Sequence, residues 1–214
     1  MSRLILVRHG EAIYRRPDAD ELSQIGRDQA QRLGKYWAER EMRFDQVFVG
    51  PRTRHRQTHD LTAEEFVKRG LRWPDAVETP ALDEYAGFAV VRRARPEIVA
   101  GEMVPEDYRM IYREVTRQWV LGEIEFPELE NWQHFRERVR RFAEPLAEVI
   151  GNGVRVVGFT SAGAVAASTA YALELTDLKT LELSFAVSNT GCVEFRAEDG
   201  NLALQSFNTT HHLS

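Results

Sequence analysis

A chain of 214 residues, 43% hydrophobic and 29% charged, can bury a full core and suits a single domain. Its formal net charge of −5 disfavours broad association with nucleic acid or anionic membranes. One cysteine, Cys192, excludes an internal disulfide, and no apolar run approaches the roughly 20 residues of a membrane helix.

Arg3–Val7 reads as a buried strand. Its apolar run, Leu4-Ile5-Leu6-Val7, is too short for a signal peptide, so a cytoplasmic protein is expected. Ser23 holds the place of an N-cap, before a helix from Gln24 to about Glu41 with Ala30, Leu33 and Tyr36 or Trp37 on its apolar stripe. Asp45–Val49 is a second strand. Pro51 suits the first turn of a helix running to about Lys68 and closed by Gly70. Ala76–Thr79 is a third strand, and Gly153–Thr160 a central one. The alanine-rich stretch Ser161–Glu174 reads as a closely packed helix. Ala186–Arg196 and Leu202–Phe207 flank the turn Glu198-Asp199-Gly200-Asn201 and predict a terminal hairpin. Its outer edge could pair two copies of the chain.

Between Leu82 and Pro145 strand signals vanish, and Arg109–Val120 and Trp132–Phe142 are the best helices. The strand–helix alternation on either side predicts an α/β fold. The whole chain, 1–214, reads as one domain with a helical cap insertion over about 88–145 at the strand ends. Insertions there cover sites and set their substrates.

The chemistry gathers where the first strand ends, at Arg8-His9-Gly10-Glu11. Strand ends at an α/β sheet edge are where ligands bind. A guanidinium offers a planar fork to phosphate oxygens, and an imidazole can attack phosphorus. Four further stretches follow: Leu22-Ser23-Gln24-Ile25-Gly26 with Gln29-Ala30; Gly50-Pro51-Arg52-Thr53-Arg54 with Gln57-Thr58; Leu82-Asp83-Glu84 with Gly87; and Asn208-Thr209-Thr210-His211-His212-Leu213. In this order they resemble the histidine phosphatase superfamily, in its phosphoglycerate-mutase-like branch.

The resemblance implies a three-layer sandwich, with a mixed, mostly parallel central sheet between helices. It implies that His9 is transiently phosphorylated and that Arg8 and Arg54 grip the phosphoryl oxygens. Glu84 matches the residue that protonates the departing oxygen, and Asp83 is its neighbour in contention. Two arginines supply charge without a metal, so no metal or other cofactor is expected. Three departures accompany it. The family's second histidine, after the late central strand, is replaced by Ser161 in Thr160-Ser161-Ala162-Gly163. As a helix N-cap, Ser161 would still meet phosphate beside free N–H groups. Arg15 stands where mutases of the family carry asparagine, and the step from Glu84 to Gly87 is one residue short.

Other residues have plainer readings. Glu11 is expected in a structural ion pair. His55 and His59, four apart on a helix, have a metal-ligand spacing but no third ligand, and are expected to be solvated; His55 adjoins Arg54 at the edge of the site. His212 suggests a docked tail, Arg92-Arg93-Ala94-Arg95 a charge-balanced surface, and Trp119, Trp132 and Cys192 core positions. The expected activity is that of a metal-independent phosphomonoesterase on a small phosphorylated metabolite. One alternative is a pseudo-phosphatase that binds a phosphorylated ligand without efficient turnover. A phosphoglycerate-type mutase is the third reading, and Arg15 opposes it.

Overall fold

The computed structural model describes residues 2–13, 20–99, 107–149, 153–198 and 200–214. Arg15, on which the mutase reading turns, lies outside them. Six strands form one sheet: β1 (Ser2–Arg8), β2 (Gln46–Val49), β3 (Ala76–Glu78), β4 (Arg155–Thr160), β5 (Cys192–Glu198) and β6 (Asn201–Thr209). Their order is β3-β2-β4-β1-β5-β6. The first four in that order run parallel, and the β5–β6 hairpin joins β1 antiparallel. The sheet is thus mixed and mostly parallel, as expected.

Alternation along the central strands builds two cores. Leu4 and Leu6 of β1, with Val156 of β4, face one side, where Val165 of α7 (Ala162–Leu173) and Ala143 of α6 (Trp132–Val149) cover them. Ile5 and Val7, with Val157 and Phe159, face the other, under Leu33 and Trp37 of α1 (Gln24–Glu39) and Phe66 of α2 (Thr53–Val67). The unbroken apolar run of β1 is what a strand buried on both faces requires. Each such side chain contributes about 1.5–3 kcal/mol on burial. The result is the three-layer sandwich.

Between Glu84 and β4 the described residues form α3 (Gly87–Ala94), α4 (Pro96–Val99), α5 (Tyr108–Val120) and α6. Their own core gathers Tyr85, Val90, Trp119, Trp132 and Phe135, with Leu181 of α8 (Asp177–Ala186). Trp119, Trp132 and Cys192 are all buried. Arg93 pairs with Glu128 at 2.7 Å, in keeping with a balanced surface there.

Three boundaries and one helix differ from expectation. Pro51 precedes the helix, whose N-cap is Arg52. Helix α6 continues through Pro145, and Ala143 in its second half belongs to the flanking layer. The hairpin begins at Cys192, later than Ala186. Helix α8 has no counterpart in the sequence reading: the strand-like alternation of Leu181, Leu183 and Phe185 hides it. Its start is nevertheless marked, since Thr176 caps Lys179 N and Asp177 accepts from Trp132 Nε1 at 2.9 Å.

Candidate active site

His9 follows β1 directly, beside the end of β4. Its N–H donates to Thr160 O at 2.8 Å, while its own carbonyl accepts from Thr190 N and Asn189 Nδ2, both at 3.2 Å. The ring is buried, with Nδ1 2.6 Å from Gly10 O. A carbonyl only accepts, so Nδ1 carries the proton and a neutral ring leaves the Nε2 lone pair unprotonated. Burial, then the guanidiniums of Arg54 and Arg8 and the His55 ring, hold the His9 pKa well below 6.5. The ring is therefore kept in the neutral form, the one in which an imidazole can attack.

The next residue fixes this loop against α1. A Cβ on Gly10 would fall 2.4 Å from Gly26 O, so the two backbones touch. Gly10 N also donates to Thr58 Oγ1 at 3.0 Å. Among the described residues Glu11 accepts from the N-cap Ser23 Oγ at 2.7 Å, in place of the expected ion pair.

Arg54 lies in the first turn of α2. Its Nη1 meets Asp20 Oδ1 at 2.5 Å, and Nη2 lies 3.4 Å from Ser161 Oγ. Asp20 also accepts from Thr53 N at 2.6 Å, tying the start of the helix to the arginine. Arg54 Nε is buried with no acceptor among the described residues. A buried donor without a partner costs about 1–3 kcal/mol, which an anionic ligand would offset. Arg8 extends from the end of β1 and donates through Nη1 to Val187 O.

Ser161 is fully buried at the N-cap of α7. Its Oγ lies 2.6 Å from His55 Nε2. His55 is itself fully buried, its ring centroid 5.8 Å from that of His9. This corrects the solvated reading of both helical histidines. His59 is wedged against Phe159 and accepts from Trp73 Nε1 at 3.0 Å, because this face of α2 packs on the sheet. Among the described residues no three acidic, histidine or cysteine side chains could hold a metal ion.

Glu84 enters from the loop after β3. Its carboxylate accepts from Gly163 N at 3.3 Å and Tyr85 N at 3.1 Å. A Cβ on Gly163 would lie 2.0 Å from Glu84 Oε1, so only glycine admits the carboxyl there. Burial raises the Glu84 pKa, and Arg54 opposes the rise. Asp83 turns instead to Arg52 Nε at 2.5 Å and to Glu84 N at 2.7 Å. Thr160 Oγ1 holds this loop to β4 through Leu82 O at 2.6 Å.

Arg54 is the common neighbour: it touches Ser161 and acts electrostatically on both His9 and Glu84. The sequence reading missed Asp20, which has no local signal 34 residues before Arg54. It placed His55 beside Arg54 at the edge of the site but expected the side chain to be solvated. What this cluster can do chemically is hold an anion between guanidiniums, attack it with an imidazole and protonate a leaving group with a carboxyl.

No curated protein sequence matches the chain. Solved structures do. A mutant phosphoserine phosphatase from Entamoeba histolytica, in complex with phosphoserine, has TM-score 0.70 and 20% identity, over 100% of both chains. Alpha-ribazole phosphatase from Shigella flexneri has TM-score 0.67 and 19% identity, over 97% of this chain and 96% of that one. Bacillus stearothermophilus YhfR has TM-score 0.70 and 16% identity, over 100% of both chains. These likenesses establish the fold. Because residues 4–210 match the sequence profile of the histidine phosphatase superfamily (branch 1), the chain belongs to that family.

Proposed function

We propose that the protein is a metal-independent phosphomonoesterase acting on a small phosphorylated metabolite through a phosphohistidine at His9. The observation that carries this reading is the buried His9 ring, its Nδ1 at Gly10 O and its Nε2 lone pair left for attack. The unpartnered Nε of Arg54 supports it, as an N–H that a phosphoryl oxygen would satisfy. So do the phosphatases among the structural relatives.

The reaction has two steps. The Nε2 lone pair of His9 forms a bond to phosphorus, and the bond from phosphorus to the ester oxygen breaks. Glu84 gives its proton to the departing alkoxide. Water then attacks the phosphohistidine and loses a proton to Glu84, which releases inorganic phosphate and restores His9. Arg8, Arg54 and Ser161 hold the non-bridging oxygens, where the charge must be stabilised. The required protonation states coexist in mild acid. His9 stays neutral well below pH 6.5, and Glu84 stays protonated above 4.5. Substrate choice falls to the helical region after Glu84, whose aromatic side chains Tyr85 and Tyr112 meet hydroxyl to hydroxyl at 3.2 Å.

His9→Ala should abolish turnover of p-nitrophenyl phosphate, while the wild type forms an acid-labile phosphoenzyme. Wild-type turnover in the alanine variant would sink the mechanism. A second reading, a pseudo-phosphatase that binds a phosphorylated ligand, is favoured by Ser161, a neutral hydroxyl where the resemblance implies a second imidazole. Phosphate or vanadate binding with no phosphoenzyme would establish it.

A further inference from the structure

We infer that Arg138, on α6, is the positioning residue that aims Glu84 at the departing oxygen: its guanidinium gathers the carbonyls of Pro80, Ala81 and Asp83, which lead into Glu84, while Glu130 holds it from another edge. This rests on the proposed role of Glu84 as the acid.

The segment before Glu84 needs such an anchor. Pro80–Leu82 is a single tight helical turn, begun by Thr79, whose Oγ1 accepts from Ala81 N at 3.3 Å. A turn this short cannot satisfy its own carbonyls. Leu82 O is taken by Thr160 Oγ1. The carbonyls of Pro80, Ala81 and Asp83 turn toward Arg138 Nη1, at 2.8, 3.1 and 3.3 Å. The two hydrogens of that nitrogen are shared among the three oxygens, so the segment wraps around the cation.

The Asp83 carbonyl matters most, because it belongs to the peptide that joins Asp83 to Glu84. Its oxygen accepts from Arg138, and the N–H of the same peptide donates to Asp83 Oδ1 at 2.7 Å. Arg52 Nε holds that carboxylate in turn at 2.5 Å. A peptide unit is planar, so fixing its two ends fixes the plane. The Glu84 side chain therefore leaves the backbone in a direction set by two arginines, one at the start of α2 and one on α6.

Glu130 orients the guanidinium itself. Nε and Nη2 of Arg138 reach its two carboxylate oxygens at 2.8 and 2.7 Å, and the Phe135 ring centroid lies 5.3 Å from Arg138 Cζ. A guanidinium fork can pair with a carboxylate along one edge and present a further nitrogen to carbonyls along another; a lysine offers one compact ammonium.

The test compares the wild type with Arg138→Lys, Arg138→Met, Glu130→Gln, Glu84→Gln and the pair Arg138→Lys with Glu84→Gln. The readouts are the single-turnover rate of His9 phosphorylation by glycerol 2-phosphate and by p-nitrophenyl phosphate, and the Kd of orthovanadate. Misplacing a reacting group by about 1 Å costs about 10²-fold, so both Arg138 variants should slow the reaction of glycerol 2-phosphate about 10–10²-fold. With p-nitrophenyl phosphate the loss should stay below about 3-fold, because nitrophenolate leaves without a proton. The Kd of orthovanadate should hold its wild-type value, and Glu130→Gln should fall between wild type and Arg138→Lys. In the paired variant Arg138→Lys should cost nothing beyond Glu84→Gln, because the carboxyl it acts through is gone.

Equal losses on the two substrates, multiplying losses in the paired variant, or wild-type rates in Arg138→Met would overturn the role of Arg138, while a bias against glycerol 2-phosphate in Glu84→Gln would leave the acid in place. If Glu84→Gln shows no such bias, the assignment of the acid fails and this inference with it. A wild type that forms no phosphoenzyme overturns both. Should Arg138→Met misfold, Arg138→Lys and Glu130→Gln decide the same question.

Discussion

The docked C-terminal tail offers a quantitative prediction. His212 is buried against α1, and its Nε2 lies 2.7 Å from Thr190 Oγ1. Thr190, at φ +54°, in turn donates its backbone N–H to the His9 carbonyl. Burial, with the nearby His211 and Arg32, lowers the His212 pKa from 6.5 to about 4. Between those values the unfolded chain binds more protons than the folded one, so stability falls as pH falls through the window from 6.5 toward 4. At about 1.36 kcal/mol per pH unit the ceiling is about 3.4 kcal/mol. The ring lies near the surface, where solvent screens its charge, and a loss of about 1.5 kcal/mol between pH 7 and pH 4.5 is the expected result. His212→Gln keeps a hydrogen-bonding side chain but cannot titrate. His9 and His55 lose stability in acid in the same direction in both proteins and cancel in the comparison. In urea melts the wild type should lose roughly 0.5 M more of its midpoint than the variant on acidification, for an m-value of about 3 kcal/mol/M. Parallel pH dependences in the two proteins would refute the reasoning.

Two further outcomes test Glu84 as the proposed acid. Glu84→Gln should slow phosphorylation of His9 by alkyl phosphates about 10²–10⁴-fold, and by p-nitrophenyl phosphate far less, because nitrophenolate leaves without a proton; single-turnover kinetics on both substrates reads the difference. Gly163→Ala sets a methyl 2.0 Å from Glu84 Oε1 and 2.3 Å from the Tyr85 ring, and should displace the carboxyl. We expect the same bias against alkyl substrates, with about 1–3 kcal/mol lost in a denaturant melt.

Local pattern reached far in this chain. Leu4–Val7 announces a strand buried on two faces, and Ser23 and Ser161 stand as N-caps where their motifs placed them. What local pattern could not reach was contact across the fold. The burial of His55 depends on α2 lying against the end of β4, and its spacing from His59 suggested only a solvated helical face. Asp20 matters through the Thr53 N–H and the Arg54 guanidinium, both far along the chain. Helix α8 went unseen because Leu181, Leu183 and Phe185 alternate as a strand would. The extension of α6 past Phe142 has a similar origin: Ala143 is buried by the sheet, and that packing outweighs the break Pro145 suggests.

The backbone of His9 is clamped on two sides, through its N–H to Thr160 and through its carbonyl to Thr190 and Asn189. In the proposed reaction a nucleophile held this way would need no rearrangement when the reactive complex forms, so little of the activation barrier would go to ordering it. It also cannot retreat. On that reading, admission of reactant and escape of product would fall to the surrounding loops and helices, with the sheet as the stationary bed of the proposed reaction.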